Sequence, residues 1–271
     1  MIAALRVMIL RIMPDVSLTS SIATHRRDLT LPAGFIAPCL PMMAPRPPSG
    51  PLWLHEIKHD GFRVLARNDG GRIRLYGLTG DDLTERFPLI VDAMARLPTC
   101  TIDGEAVVCD ERGIGSFKLL RHGERDEQAF LYAFDLIELD HDDRRRDPLE
   151  SRKLDLLRLL SKSAPGLAFN EWIDGSESDG ATVFARACGL GVDGIVSKRK
   201  DSRYISGRSP YWLKMKNPKS EAARREIEET RAQQLKELNQ SPKDVSNAHG
   251  LPRSLGARLP ATSQAGPPAR V

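Results

Sequence analysis

The chain has 271 residues, 41% hydrophobic and 28% charged, which suits one large soluble domain or two modest ones and excludes a membrane, fibrous or wholly disordered protein. Its 40 basic and 36 acidic residues leave a formal net charge of +4, too mild to say much about nucleic acid. Cys39, Cys100, Cys109 and Cys188 are scattered, with no Cys-x-x-Cys pair and no zinc-finger spacing, so a disulfide framework or structural zinc is not expected and a cytoplasmic, reducing setting is.

In chain order, residues 1–13 are apolar but carry Arg6 and Arg11 and run into Pro14. They are too short to span a bilayer and too charged for a signal-peptide core. Residues 1–30 read as a poorly ordered N-terminal extension. Residues 31–51 contain seven prolines and read as an extended arm. From Leu52 the pattern predicts strands at 52–67, 72–77, 100–109, 129–139, 167–173, 193–199 and 211–217, and helices at 86–97, 149–162 and 180–189. Asn68-Asp69-Gly70-Gly71 marks a hairpin, and Leu154, Leu157 and Leu160 recur at helical spacing. Short connections between most strands predict an α+β domain of antiparallel sheets flanked by helices over residues 31–219. Residues 220–240 read as a charged helix, and 241–271, rich in Pro, Gly, Ser and Ala, as a disordered tail.

Five short clusters combine residue types that carry chemistry. In Glu56-Ile57-Lys58-His59-Asp60-Gly61-Phe62-Arg63, strand periodicity puts Glu56 and Lys58 on one face, and Gly61 leaves room for a ligand or backbone. A partly desolvated lysine near other cations has a lowered pKa and can attack phosphorus. Asp103 and Glu105 share a face within an apolar strand, where unpaired carboxylates are costly. Phe134 lies in the apolar run Tyr132-Ala133-Phe134-Asp135. Asp193 opens and Lys198 closes a fourth strand, and Lys214 and Lys216 share a face while Leu213 and Met215 turn to the core. Taken singly, each has a plainer reading as a surface lysine, an exposed hairpin or a core aromatic. Between Lys198 and Lys219 eight basic residues face one acid, Asp201, which alone reads as a solvated face.

Occurring together in this order over about residues 34–217, these clusters resemble the motifs of the ATP-dependent DNA ligase adenylation (nucleotidyltransferase) domain, most of all that of the bacterial end-joining ligase D. Pro47-Pro48-Ser49-Gly50, Arg86-Phe87-Pro88 and Ser206-Gly207-Arg208-Ser209 extend the likeness. The resemblance implies the nucleotidyltransferase (ATP-grasp-like) fold of those domains and a DNA ligase activity in strand-break repair, with ATP as adenylate donor and Mg2+ or Mn2+ as metal. It implies Lys58 as nucleophile, forming lysyl-AMP. Glu56 would meet the adenine edge, Phe134 would stack on the base, and Arg63 and Glu105 would hold the ribose and its neighbourhood. Asp60 and Lys198 would complete the nucleotide site. Lys214 and Lys216 would clamp the α-phosphate and Asp193 would hold the metal. The partner implied is nicked or broken double-stranded DNA, with a separate DNA-binding or end-joining protein as a further candidate and no membrane. The basic run can then serve as ATP clamp and DNA-backbone contact.

Two positions depart from that pattern: Leu78 stands where the family carries a nucleotide-contacting arginine, and Asp193 replaces a glutamate. The 52 residues after Lys219 (220 to 271) show no run of five alternating strands, so the family's C-terminal oligonucleotide-binding barrel is expected to be missing. The alternatives are an adenylation-only or degenerate nucleotide- or DNA-binding module that needs a partner, or a related RNA ligase or guanylyltransferase.

Overall fold

In a computed structural model of the chain, residues 35–161 and 164–240 are described. The expected N-terminal extension (1–30) and tail (241–271) lie outside them. The chain divides after Glu229. Both sheets belong to the first unit; the second, from Thr230, is described only to Gln240, as helix.

The strands are β1 (Cys39–Met43), β2 (Trp53–Ile57), β3 (Phe62–Asp69), β4 (Arg72–Tyr76), β5 (Cys100–Val107), β6 (Phe130–Leu139), β7 (Asp142–Asp143), β8 (Leu167–Phe169), β9 (Trp172–Asp174), β10 (Gly194–Arg199) and β11 (Gly207–Lys216). The helices are α1 (Pro88–Met94), α2 (Phe117–Arg121), α3 (Leu149–Leu160), α4 (Gly180–Leu190) and α5 (Glu221–Gln240). A five-stranded sheet runs β1-β11-β10-β2-β9, and a second runs β4-β3-β5-β6-β7 with β8 beside β6. The pairings are antiparallel except β1 with β11 and β6 with β8. One core lies between the second sheet and α1 and α3, including Phe87, Ile90, Ile102 and Leu156. A second joins the two sheets through Leu54, Leu65, Phe134, Ile137 and Trp212. A third packs Val183 and Ala187 of α4 on Ile195 and Met215.

Two expected strands are each divided in two. The run 52–67 becomes β2 in the first sheet and β3 in the second, and 167–173 becomes β8 in the second and β9 in the first. The chain therefore crosses between sheets twice, at residues 58–61 and at 170–171. The crossings touch: the His59 ring nitrogen Nε2 lies 3.0 Å from Asn170 Oδ1, and Asn170 Nδ2 lies 3.4 Å from the Ile57 carbonyl. Half-buried strand-forming residues flank each break (Ile57 and Phe62 at the first, Phe169 and Trp172 at the second), so composition alone conceals the change of sheet. Gly61 permits the first crossing: a Cβ there would lie 2.2 Å from the Ala106 carbonyl oxygen.

The proline-rich arm is likewise not wholly irregular. Cys39–Met43 form an edge strand, and the register slips between Pro41 and Met42, where a residue without an N–H is tolerated. The expected leucine stripe of α3 is displaced. Leu154 is 40% exposed, whereas Leu149, Arg152, Lys153, Leu156 and Leu160 are buried, so the inward face carries two cations.

Gly61→Ala must push β3 away from β5. The expected cost is about 1–3 kcal/mol, as for other overpacked sites, read as a lower midpoint in urea unfolding.

Candidate active site

Antiparallel pairing in the first sheet stacks the expected residues in rows. Val196 pairs with Glu56 on one side and Lys214 on the other, and Lys198 pairs with Leu54 and Trp212. Lys58 follows β2 and donates its N–H to the Gly194 carbonyl at 3.0 Å, while Gly194 pairs with Lys216. Alternation thus sets Glu56 and Lys58, Lys198, and Lys214 and Lys216 on one face of three neighbouring strands. The face looks onto a cleft of about 470 Å³, mouth included, whose walls include Glu56, Lys58, Arg63, Glu105, Phe134 and Lys198.

Glu56 lies at the floor, 1% exposed. One carboxylate oxygen accepts from Lys153 Nζ at 2.8 Å; the other accepts from Lys198 Nζ at 2.8 Å and Asn170 Nδ2 at 3.1 Å. Lys153 also donates to the carbonyls of Phe134 and Asn170, both at 3.2 Å. Burial pushes the Lys198 amine down to about 8; Glu56 opposes this and Lys153 adds to it. Lys198 lies 4.2 Å over the Phe134 ring and 4.1 Å over Trp212, and the Arg63 guanidinium lies 4.4 Å over Phe134. Phe134 is 7% exposed and meets Trp212 edge-on. The Trp212 indole nitrogen is buried without a hydrogen-bond partner, an unspent donor on a residue of the cleft wall.

Arg63 is locked in place. It donates to the two Asp103 oxygens at 2.6 and 2.7 Å and to the Cys39 carbonyl at 3.0 Å, and the Tyr204 hydroxyl donates to Asp103 at 2.5 Å. Arg63 pairs in register with Glu105 across β3 and β5, yet its guanidinium serves Asp103. Burial pushes the Glu105 carboxyl up to about 7 against the pull of Lys58 and Arg63.

Around Lys58 the structure reverses one expectation. Burial is the largest single influence and would lower its amine, but Asp193, Glu105 and Asp60 together outweigh it, and the net shift is upward. Lys58 donates to Asp193 Oδ2, and the other Asp193 oxygen accepts from the Ser220 hydroxyl at 3.0 Å. Carboxylates, not cations, are therefore the near neighbours, and they hold Lys58 as an ammonium with no lone pair to offer. A divalent ion fits this donor set: magnesium takes one or two carboxylates with water and phosphate oxygens, and Asp193 supplies one, with Asp60 and Glu105 also acting on Lys58. Among the described residues no group of three His, Cys, Asp or Glu could hold a metal.

Asp60, Asp193, Lys214 and Lys216 are not on the cleft wall proper. Asp60 accepts from Arg225 at 2.6 and 2.9 Å, Lys216 donates to Glu226, and burial lowers Lys214, with Lys216 and Lys58 adding to it. The basic run 198–219 divides: Lys198 is buried, Arg199 and Lys200 pair with Asp201 and Asp174, and Arg203 and Arg208 are exposed. Sequence reasoning missed Lys153, Asn170, Ser220 and Arg225. Lys153 had a usable signal, since 149, 152, 153, 156 and 160 form a helical face that includes it.

Lys153→Met should cost about 3 kcal/mol, the low end for breaking a buried pair because Lys198 and Asn170 still hold Glu56; chemical unfolding reads it. Asp193→Asn removes the charge that raises Lys58, so Lys58 should react with an amine-directed electrophile at lower pH. Mass spectrometry of the Lys58 peptide across a pH series, without metal, checks the direction.

A family model described as ATP dependent DNA ligase domain matches residues 47–216. The chain is 36% identical over 188 residues to the multifunctional non-homologous end joining protein LigD of Pseudomonas aeruginosa, covering 67% of this chain and 22% of that protein. It is 33% identical over 177 residues to a probable DNA ligase of Streptomyces coelicolor, covering 59% and 34%. The crystal structure of the ligase domain from Mycobacterium tuberculosis LigD superposes with a TM-score of 0.58 at 31% identity, covering 66% of this chain and 60% of that one. The chain spans about a fifth of the length of the LigD relatives it matches. With the family model covering well over half of its length, the chain belongs to the ATP-dependent DNA ligase domain family.

Proposed function

We propose that this chain adenylates itself on Lys58 with ATP, as the first step of sealing DNA strand breaks in repair. The observation that carries the reading is Lys58 at the edge of a cleft that also presents Phe134, Arg63, Glu105 and Lys198, with Lys214 and Lys216 on neighbouring positions of the same sheet face. Neutral Lys58 attacks the α-phosphorus of ATP; its N–P bond forms as the bond to pyrophosphate breaks, leaving lysyl-AMP. AMP then passes to the 5′-phosphate of a nick, and the 3′-hydroxyl displaces it. Phosphoryl transfer of this kind depends on in-line positioning and neutralised phosphate oxygens.

The residues divide the work by charge. Before attack Lys58 must leave Asp193 and lose its proton. Lys214 and Lys216 are placed to take phosphate oxygens. Asp193 would hold Mg2+ or Mn2+, which when bound supplies further charge neutralisation there. Phe134 on the cleft wall would meet the base, backed edge-on by the buried Trp212. Glu56 already accepts from two ammonium groups and an amide, so its part in reading the adenine edge is through the position of Lys198 and Asn170.

A second reading, adenylation that relies on a partner to complete sealing, is favoured by Leu78. It is 50% exposed in the turn after β4 and offers no charge-assisted hydrogen bond to nucleotide or nick. The partner would be an end-joining or DNA-binding protein, and the substrate nicked or broken duplex DNA. Four free cysteines fit the reducing cytoplasm, and among the described residues no helix is long and apolar enough to cross a membrane.

Protein incubated with α-labelled ATP and magnesium should retain covalent label, and Lys58→Ala should abolish it. Wild-type protein that never acquires label overturns the reading. Nick sealing on pre-adenylated DNA, with and without added partner, separates full ligation from adenylation alone.

A further inference from the structure

The residues that follow β11 tie α5 to three of the motifs at once. Ser220 accepts the Ala223 N–H at 3.1 Å while its hydroxyl donates to Asp193. Arg225 holds Asp60 with two hydrogen bonds and lies 4.6 Å over the Phe117 ring. One residue on, Glu226 places its carboxylate on Lys216. Lys216, Lys214 and Lys58 all act on that carboxyl and hold it below the usual carboxylate range. A carboxylate from the chain itself therefore sits on Lys216 and feels the charge of Lys214 and Lys58, the three lysines that the proposed reaction would turn toward phosphate.

Two features separate Glu226 from the contacts beside it. Ser220 and Arg225 anchor the start of the helix on buried or half-buried partners, so Glu226 is not needed to dock it. The Glu226 side chain is 61% exposed, against 3% for Asp193, so it can leave Lys216 for water at little cost. Ion pairs this open are worth about 0.2–1 kcal/mol. A multiply charged phosphate with three lysines in reach competes with that readily.

We propose that Glu226 is an internal anion of the nucleotide site: it occupies Lys216 until a phosphate of the incoming nucleotide displaces it, and so sets how tightly the nucleotide is held. The inference rests on the adenylation reading for the identity of the displacing ligand; the exchange of one anion for another on Lys216 can be measured without adenylation.

The test uses the full chain at low salt, with wild type, Glu226→Gln, Lys216→Ala and the double variant. Calorimetric titration with inorganic tripolyphosphate, without metal, gives anion affinity. Glu226→Gln should tighten binding about 1.4- to fivefold, the range of an exposed ion pair, and the gain should vanish in the Lys216→Ala background. The gain should also fade in 1 M salt, where charges are screened beyond about 3 Å. Lysyl-AMP formation at sub-saturating ATP should rise by a similar factor, with the gain in KM. Glu226→Ala should shift affinity in the same direction, which guards against a misfolded single variant. Unchanged or weaker tripolyphosphate binding in Glu226→Gln, or a gain that persists without Lys216, overturns the proposal. Protein that binds tripolyphosphate as expected yet never forms lysyl-AMP refutes the adenylation reading and leaves the role of Glu226 standing.

Discussion

One buried carboxylate organises the molecule. Glu56 comes from the first sheet; Lys198 comes from the neighbouring strand, Lys153 from α3 and Asn170 from the crossing between β8 and β9. Lys153 in turn reaches the Phe134 carbonyl in the second sheet. Helix and both sheets are thus joined through a single charged cluster with almost no access to water. Such a cluster stabilises little relative to a well-packed apolar one, but losing one member leaves an uncompensated charge inside. Its contribution is to fix which groups face one another. It also places Phe134, Trp212 and Lys198 around the cleft at spacings the aromatic rings and the ammonium can share.

The motif residues were legible because they follow a period of two. Glu56 with Lys58, and Lys214 with Lys216, lie on one face simply by being two apart in strands, and the sheet supplies the rest by pairing them through Val196 and Gly194. Strand content was also readable, since β-branched and aromatic runs lie where most strands are. The changes of sheet at Gly61 and Asn170 were not. Strand-forming residues flank each break, Ile57 and Phe62 at the first and Phe169 and Trp172 at the second, and the close packing of Gly61 on Ala106 that marks the first crossing is visible only in three dimensions.

Charge partners were the least legible part. Lys58 was expected to lie near cations with a lowered pKa, yet carboxylates raise it, Asp193, 135 positions away, foremost among them. Sequence spacing carries no information on that contact, nor on the 165 positions between Asp60 and Arg225. Lys153 hid for a different reason: a charged residue on a helix is ordinarily assigned to its wet side, and here the leucines of α3 share their inward face with two cations. Leu78 was flagged from the family pattern and is half exposed beside Gly77 and Gly80, in a turn that could carry an arginine without disturbing the core.

The double crossing of the chain has a consequence for cohesion. Lys58 and Glu56 travel with the first sheet, while Arg63, Glu105 and Phe134 travel with the second, so the cleft is the seam between two halves of one body. A molecule lodged there touches both halves and acts as a stitch. Whatever free energy it gains on binding is added to the resistance of the seam to opening, growing as RT ln(1 + [L]/Kd). The occupant of the seam is then a structural component of the folded chain for as long as it stays bound.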